Sequence, residues 1–561
     1  MNQIFTIILL IGFISQRVYS QTTFNAAAYA LSHPCLWTTC NVTGFSIGNP
    51  AYILDCCTLQ LPLNYAQPNQ TIPISMSRLS PNQTNQSQNT IVMLSGGPGG
   101  SGWNLFSIAS IILQTIPGIT VILPDHRGTR LSSVLSCDDY GSQNISAACI
   151  TYLVSKWGTN GLNQFSITNA AHDVSVQIQS YQATNPGRVG LFAVSYGTLW
   201  ADRFLQIYPT VVQASVMDGV FDPLTSSDSR APLLTDAATV QFLSYCRLQI
   251  KCNQYFSAEE SPVDVLKTIL KQVDLNQQKC IKENFANYQL TSYILRNMFL
   301  TLVTDAGQYF ARTIVPAVIY RLNRCNADDI TVLKFFFQNT ATLTTTALPA
   351  ILFSSVLSYN IVQSETWLAM NESEIDETTY NDWRDSTIMT LARPSNFFTL
   401  RAQWPKYPLD QYYGNFAAQA PVLMLSGELD PSTVFQQASH IASITRATRI
   451  FYAIPLTGHV TSSIMLVGYP CPAAIALYYL FPNIVPAAYG DPKCLQSLPT
   501  TIDFVGETAA VQQVSSKLLN IILPFGSGPA SPYNGSLRMN AFQNLRILQI
   551  FLCLILSIIF Q

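Results

Sequence analysis

Ser195 lies where a short apolar run, residues 190–194, gives way to a helix-like segment, residues 199–208. A serine hydroxyl becomes a nucleophile when a base removes its proton and the backbone presents it clear of its neighbours, which requires small residues two positions before and after. Ala193 and Gly197 meet that requirement. The pattern predicts a nucleophile elbow; locally, an ordinary strand-to-helix turn with a solvent-facing serine would have the same form.

A glycine-rich loop precedes this serine in the chain. Residues 90–94 predict a strand, and residues 95–102 follow as a loop whose bare N–H groups can come close to a substrate. One of these groups and the N–H of Tyr196 could stabilise an oxyanion. The loop donor is Gly97 or Gly99, because the residue between them is proline. No Gly-Lys-Ser/Thr follows, which argues against a phosphate-binding loop.

A candidate acid and a candidate base follow the serine. Asp430 stands at the end of a buried strand predicted within residues 421–431, and His459 lies in the loop after a strand over residues 449–454. The order Ser, Asp, His is that of α/β-hydrolases. Glu428 is the rival acid, but Asp430 lies where the loop begins and its side chain can turn toward the histidine. The other histidines precede the predicted core, belong to a turn or lie on helix-like stretches: His33, His126, His172 and His440.

Taken together, these motifs resemble the proline iminopeptidase and tripeptidyl aminopeptidase group of serine peptidases. The residues that carry the resemblance are 96–102, 125–129, 195–198, Asp430 and 458–459, within a region from Leu54 to Cys494. The resemblance implies an α/β-hydrolase fold, with a mostly parallel central sheet, helices on both faces and a helical lid. It also implies cleavage of short peptides from the amino end, with Gly97 as the oxyanion donor. Ser95 stands where these enzymes often have histidine and Ala193 replaces an elbow glycine, but neither change removes a reacting group.

The sequence context of three further aspartates favours structural roles for them. Asp125 begins an Asp-His-Arg-Gly-Thr turn, a pattern that more often joins two loops through an arginine–carboxylate pair than performs catalysis. Asp218 and Asp222 end the strand after the nucleophile helix, where a turn or a lid hinge is expected.

The long separation of Ser195 from Asp430 implies an insertion into the core. Between them, helical spacing replaces strand-like runs, and Ser261-Pro262-Val263-Asp264 has the pattern of a helix start. Further helices are expected within residues 309–322 and 348–362. The predicted organisation is a signal peptide, the first part of the core, a helical lid, the second part of the core, a stalk with an anchor site, and a removed signal: 1–20, 21–223, 224–393, 394–525, 526–536 and 537–561.

An exopeptidase must recognise a free α-amino group, and a carboxylate in the lid is a physical means of doing so. Glu365 resembles an acidic position found there in this group of peptidases. An ordinary surface or structural role for Glu365 is equally open from the sequence.

Both ends of the chain, and its cysteines, indicate export. An apolar stretch over residues 4–14 precedes small residues suited to cleavage after Ser20. Small residues at 534–536, a polar spacer and an apolar tail predict a glycosylphosphatidylinositol anchor signal, with a retained membrane anchor as the alternative. An endolysosomal or vacuolar lumen is a further possible location. Sequons fit a glycosylated surface: Asn41, Asn69, Asn82, Asn85, Asn144, Asn371 and Asn534.

Thirteen cysteines include Cys553 in the apolar tail, and the other twelve form an even set suited to disulfides in an oxidising compartment. The expected local pairs are 137 with 149, 246 with 252, 280 with 325 and 471 with 494. Cys35, Cys40, Cys56 and Cys57 then pair among themselves, without a bond between the adjacent two. No Cys/His spacing suggests zinc, and no cofactor or metal is expected.

The charge balance points away from polyanionic partners. A net charge of −2 without a basic run argues against nucleic-acid and electrostatic membrane binding. The sequence thus predicts a secreted or surface-anchored serine exopeptidase acting on short peptides. A carboxylesterase with the same triad and a non-catalytic adhesion protein on the same fold are the alternatives.

Overall fold

The computed structural model describes residues 24–40, 51–82, 89–116, 118–345, 352–391, 393–417 and 419–526, with side chains for all of these except residues 341–345. The predicted signal peptide and the predicted anchor signal lie outside these ranges.

A nine-stranded sheet organises the core. Its strands are β1 (Thr38–Thr39), β2 (Tyr52–Pro62), β3 (Thr71–Pro81), β4 (Thr90–Leu94), β5 (Thr120–Pro124), β6 (Val189–Val194), β7 (Ala214–Asp218), β8 (Val422–Gly427) and β9 (Arg449–Ile454). They lie in the order β1-β2-β3-β5-β4-β6-β7-β8-β9. The pairs from β5 to β9 are parallel, and β1 to β3 form an antiparallel extension that joins β5.

The central strands are buried on both faces, which explains why they are continuous apolar runs and do not alternate with polar residues. In β4, Val92 and Leu94 belong to one apolar cluster, whereas Ile91 and Met93 belong to another on the opposite face. The topology, with helices packed on both faces, is the α/β-hydrolase fold that the sequence predicts.

Eighteen α-helices lie within the described ranges. They are α1 (Ala26–Ser32), α2 (Phe106–Thr115), α3 (Ala147–Leu162), α4 (Ile167–Gln182), α5 (Tyr196–Ile207), α6 (Ala231–Leu248), α7 (Ile250–Asn253), α8 (Pro262–Asp274), α9 (Lys279–Asn284), α10 (Ser292–Thr304), α11 (Val315–Arg324), α12 (Ala327–Thr345), α13 (Ser355–Ile361), α14 (Glu377–Ser386), α15 (Phe397–Gln403), α16 (Phe435–Ile444), α17 (Cys471–Leu480) and α18 (Ala509–Leu519). Helices α2 and α17 pack on one face of the sheet, and α4, α5 and α16 pack on the other.

The chain between β7 and β8 contains no further strand of the sheet within its described residues, and it forms the helices α6 to α15. Helix α8 begins with the predicted capping box, in which the Ser261 hydroxyl accepts from Asp264 N–H and the Asp264 carboxylate accepts from Ser261 N–H. The expectation for residues 309–322 is less accurate, because α11 begins only at Val315, after two short 3₁₀ turns. In the stretch 348–362, helix α13 begins at Ser355.

The insertion has an apolar core of its own, built largely from α8, α10, α11 and α12. The sequence predicts residues 394–525 as the second part of the catalytic core. The structure places the end of that range against the insertion, since Ile502, Phe504, Leu519 and Phe525 belong to the insertion's core. The chain therefore returns from the sheet to cover the helical layer.

Six disulfides join the pairs 35–57, 40–56, 137–149, 246–252, 280–325 and 471–494. The four predicted local pairs are present, and the adjacent Cys56 and Cys57 bond to different partners. This number of disulfides fits a protein of the secretory pathway or extracellular space. Across the described ranges, no helix is both long and apolar enough to cross a membrane.

Candidate active site

Ser195 occupies a strained turn between β6 and α5. Its backbone has φ 55° and ψ −132°, a conformation that few residues other than glycine adopt. The surroundings leave no space for side chains: a Cβ on Gly197 would lie 2.6 Å from the Leu94 carbonyl oxygen, and one on Gly96 would lie 2.8 Å from Ser195 Cβ. Ala193 is fully buried in β6, where its methyl group is accommodated. The local sequence therefore presents Ser195 in the sharp geometry of a nucleophile elbow.

Asp430 and His459 contact each other directly. His459 Nδ1 lies 2.8 Å from Asp430 Oδ2, and both side chains are almost completely buried. The other carboxylate oxygen, Oδ1, accepts the N–H groups of Ser432 and Thr433 at 2.8 and 2.9 Å. Thr433 Oγ1 donates to Oδ2 at 2.8 Å. The rival acid Glu428 makes no side-chain contact with His459 among the described hydrogen bonds, and its N–H donates to Ile454 O.

The electrostatic environment of His459 favours a positive charge on its ring. Burial by itself lowers the pKa of His459, but the negative charge and the hydrogen bond of Asp430 oppose it, with smaller contributions from Asp218 and Asp305. Together these carboxylates raise the pKa of His459 above its ordinary value. A histidine that takes a proton from a serine becomes an imidazolium, so this environment suits a general base.

Ser195 and the His459 ring both lie at the end of β7. Ser195 N–H donates to the Asp218 carbonyl oxygen at 2.9 Å. The next residue, Gly219, is so close to the imidazole that a Cβ there would lie 3.1 Å from His459 Cε1. Within the described residues, His459 Nε2 is buried and has no hydrogen-bond partner. That nitrogen is the atom a serine hydroxyl would approach, and such contacts often form only when substrate is bound.

The predicted oxyanion donors flank the serine. Tyr196 is the first residue of α5, so its N–H precedes the helical hydrogen bonds. Gly97 has φ 125°, and a Cβ there would clash with two following backbone nitrogens. Gly97 lines the same cavity as Ser195 and Tyr196, whereas Gly99 packs against Ser354. The geometry therefore favours Gly97 over Gly99 as the second donor.

Core and insertion together line a small cavity of about 90 Å³ beside Ser195. The core contributes Gly97, Pro98, Ser195, Tyr196, Phe221, Pro431, Ser432 and Thr433. The insertion contributes Asp228, Ala231, Thr235, Leu300, Thr366, Leu391 and Arg393. A substrate bound beside Ser195 would therefore contact both the core and the insertion.

Glu365 lies close to this site but does not line the cavity. It is 4% exposed, and Oε1 accepts from Ile167 N–H at 3.1 Å and from Tyr407 Oη at 2.8 Å. Oε2 pairs with Arg203 Nη2 at 3.2 Å. Both oxygens are engaged by buried partners, so the geometry does not bring Glu365 to a substrate in the cavity. The carboxylate that does line it is Asp228, for which the sequence gives no such signal.

The Asp-His-Arg-Gly turn joins separate parts of the core, as expected, but the pairing within it differs from a simple local pair. Arg127 pairs with Asp173 on α4, and its guanidinium also donates to the carbonyls of Pro62, Leu63 and Gln164. Asp125 pairs with Arg130 at 2.6 Å.

The same turn bears on the active site through two contacts. Asp125 Oδ1 accepts from Gly102 N–H at 3.0 Å, which anchors the end of the glycine-rich loop. His126 lies near Tyr196, with Nε2 3.1 Å from Tyr196 Oη. Burial lowers the pKa of His126 to about 3, so this histidine stays neutral. The turn is therefore a scaffold beneath the active site.

Arg127→Met is expected to destabilise the protein by about 3–5 kcal/mol, because it leaves Asp173 charged and buried and removes the donor to three carbonyls. The measurement is the denaturant midpoint of the purified protein, followed by fluorescence. The exposed Arg446→Met serves as a matched control and is expected to change stability by no more than about 0.5 kcal/mol. Lost activity at unchanged stability would instead make the turn part of the chemistry.

Two residues that bear on the histidine loop were not assigned that role from the sequence. Asp218 accepts from Thr461 N–H, Thr461 Oγ1 and Ser462 N–H, which anchors the chain just after His459. Thr433 donates to Asp430 and lies 3.2 Å from His459 Nδ1. The sequence offered one signal, since a threonine three residues after an aspartate fits a side-chain-bonded turn. No local sequence pattern predicts that Asp218 bonds to the loop that carries His459.

A match to a known sequence family agrees with the fold. The sequence profile described as alpha/beta hydrolase fold matches residues 89–244. No curated protein matches the chain. Similar solved structures include a serine hydrolase from the bacterium Cycloclasticus zankles, at 9% identity and a TM-score of 0.33, covering 77% of this chain and 99% of that one.

Two further similar structures come from other organisms. A thermophilic esterase from Thermogutta terrifontis has 11% identity and a TM-score of 0.31, covering 75% of this chain and 98% of its own. A peroxisomal alpha-beta-hydrolase from Saccharomyces cerevisiae has 10% identity and a TM-score of 0.33, covering 82% and 94%. Likenesses at these scores carry no information about the substrate of this chain.

Proposed function

We propose that the protein is a serine hydrolase that releases residues from the amino end of short peptides. The observation that carries the proposal is the convergence of Ser195, His459 and Asp430 at one end of the sheet, beside a small cavity that core and insertion residues line together. The strained backbone of Ser195 and the N–H groups of Gly97 and Tyr196 supply the remaining elements of acyl transfer.

In the proposed reaction, Ser195 Oγ attacks the scissile carbonyl carbon while His459 Nε2 takes the hydroxyl proton. The N–H groups of Gly97 and Tyr196 hold the oxyanion. His459 then gives the proton to the leaving amine, and the acyl group remains on Ser195. Water, deprotonated by the same nitrogen, attacks the acyl-enzyme and releases the product. Asp430 accepts Nδ1–H throughout and stabilises the imidazolium without taking the proton.

The position of Asp228 supports amino-terminal specificity. Its side chain is 23% exposed, and it lines the cavity together with Ser195. The carboxylate binds Arg393 Nη2 at 2.7 Å and Thr366 Oγ1 at 2.5 Å. A carboxylate has about four acceptor sites, so it can accept a substrate ammonium in addition to these partners. We therefore place the amine-binding role on Asp228 in preference to Glu365.

Asp228→Asn is expected to lower kcat/KM for peptides with a free amino end by roughly 10- to 100-fold, since a charge-assisted hydrogen bond contributes about 1.5–3 kcal/mol. N-acetylated peptides and aryl esters should lose far less. The measurement is steady-state kinetics of the purified protein on matched free and N-blocked substrates.

Glu365→Gln is the matched control for that experiment. It should reduce stability, because Glu365 pairs with the buried Arg203, but it should leave the preference for free amines intact. If Glu365→Gln loses the preference for free amines and Asp228→Asn keeps it, Glu365 is the residue that binds the substrate ammonium. Hydrolysis of aryl esters by the wild type without any cleavage of free-amine peptides would favour the carboxylesterase alternative.

The proposed location is the cell surface, reached through the secretory pathway. Six disulfides support an oxidising compartment. The proposed cleavage after Ser20 and the proposed lipid anchor near residues 534–536 concern residues outside the described ranges. They are tested by the amino-terminal sequence of the secreted protein and by its release from cells with a phosphatidylinositol-specific phospholipase.

A further inference from the structure

The loop that carries His459 is bonded to the helical insertion through its own backbone. His459 N–H donates to Thr304 O at 2.7 Å, and Ala306 N–H donates to His459 O at 2.9 Å. These bonds form a parallel bridge between Asp305 and His459. The preceding residue, Gly458, is in such close contact that a Cβ there would lie 2.5 Å from Thr304 O. The insertion therefore fixes the backbone on which the imidazole sits.

The side chain of Asp305 strengthens this connection. Its Oδ1 accepts from Gly307 N–H at 2.7 Å, which caps the 3₁₀ helix Ala306–Gln308. The same oxygen accepts from Ser463 Oγ at 3.2 Å, and Ser463 lies in the short helix that follows His459. One carboxylate thus connects the insertion to the chain on the far side of the histidine.

The negative charge of Asp305 also acts on the imidazole of His459. Three carboxylates act on the imidazole: Asp430, bonded to Nδ1, and Asp218 and Asp305, which act through space. For Asp305, the charged group that acts on it is His459, and its other polar neighbours are Gly307 N–H and Ser463. Desolvation of the carboxylate raises the pKa of Asp305 to about 6 despite these partners. It is therefore largely ionised at neutral pH and neutral well below pH 6.

We propose that Asp305 is a positioning residue for His459, a second carboxylate from the insertion that fixes the histidine loop and stabilises the imidazolium formed when Ser195 is deprotonated. Asp305 receives no proton from the reaction. The proposal rests on the proposed function of Ser195 and His459. Under this proposal the insertion contributes to the active site, because moving the insertion away would remove one of the negative charges that act on His459.

Asp305→Asn separates this role from a purely structural one. Asparagine caps a helix about as well as aspartate, so the variant retains the cap and loses the charge. The probe is a fluorophosphonate, and the readout is the rate constant of labelling of the full-length protein between pH 4 and 9.

Asp305→Asn is expected to shift the pH profile of labelling to lower pH. Loss of a negative charge lowers the pKa of His459, so the acidic limb of the pH profile moves to lower pH by a few tenths of a unit to about one unit. The plateau rate constant falls by up to about tenfold, because the imidazolium is less stabilised. The absolute rate constants of wild type and variant should converge well below pH 6, where Asp305 is neutral in the wild type as well.

Two other variants complete the test. Asp328→Asn removes an exposed carboxylate from the same insertion and should leave both the limb and the plateau unchanged. Ser463→Ala removes one donor from Asp305 and lowers its ionised fraction, so it should give a smaller shift in the same direction. If Asp305→Asn does not fold, the shift measured in Ser463→Ala tests the role of Asp305 instead.

Unchanged midpoints in Asp305→Asn and Ser463→Ala, with normal labelling of the wild type, would overturn the role of Asp305. Absence of labelling in the folded wild type would count against the proposed function instead. In that event the titration of the His459 ring protons, followed by NMR in wild type and Asp305→Asn, still decides whether Asp305 acts on the imidazole.

Discussion

Ser195→Ala is expected to abolish both fluorophosphonate labelling and substrate hydrolysis, with a loss in kcat on the order of 10⁴-fold or more. The substitution removes the only atom of the chain that the proposed mechanism makes nucleophilic. Folding should be unaffected, since Ser195 Oγ makes no hydrogen bond among those of the described residues. The measurement combines labelling, turnover of a free-amine peptide and thermal unfolding.

The elbow itself provides a control for that variant. Ser195→Ala keeps the positive φ of the turn, so any strain in the backbone is present in both proteins. Thr198→Ala, one turn further along α5, removes a hydroxyl that donates to the Ser195 carbonyl and accepts from Phe221 N–H, and labelling should persist in it. Labelling that survives in Ser195→Ala would show that the nucleophile lies elsewhere in the chain.

Asp430→Asn is expected to lower kcat by about 10⁴-fold with little change in fold. The surroundings of Asp430 dictate how the amide would lie. Oδ1 accepts two backbone N–H groups, so the amide oxygen takes that position and the NH₂ group faces His459. His459 Nδ1 must then accept, which places the ring proton on Nε2, where it blocks proton transfer from Ser195.

The same variant removes the strongest charge that acts on His459. The pKa of the imidazole should fall, and the acidic limb of the residual activity should move to lower pH. Glu428→Gln is the matched control, because Glu428 lies two residues away and makes no contact with the ring. A larger loss in Glu428→Gln than in Asp430→Asn would identify Glu428 as the orienting acid.

Much of the core could be predicted because its signals are local. Strand β4 has the predicted bounds, and so does β9, since each is an apolar run that ends at residues unsuited to a buried strand. The capping box of α8 is a pattern within four residues. The insertion was harder to predict in detail: α11 begins several residues after the predicted start, because the 3₁₀ turn Ala311–Ile314 lies where helical spacing alone predicts a continuous helix.

In the candidate site, too, some residues could be predicted from the sequence and others could not. Ser195, Asp430 and His459 stand at strand ends, and strand ends of a parallel sheet meet at one edge, so their chain order was enough to predict their convergence. Glu365 and Asp228 show the limit of that reasoning. Both are acidic residues of the insertion, but Arg203, Ile167 and Tyr407 engage Glu365, whereas Asp228 lines the cavity.

The amino-acid sequence by itself determined the fold class, the disulfide partners close in the chain and the three residues proposed to react, because each depends on periodicity, turn chemistry or spacing. Only the tertiary structure decided which insertion carboxylate lines the cavity and which one lies against the loop that carries His459. Asp305 and His459 are far apart in sequence, and their contact arises from how the insertion packs on the sheet. No local pattern encodes such a contact, since a carboxylate's role is set by the partners that packing brings within a few ångströms of it.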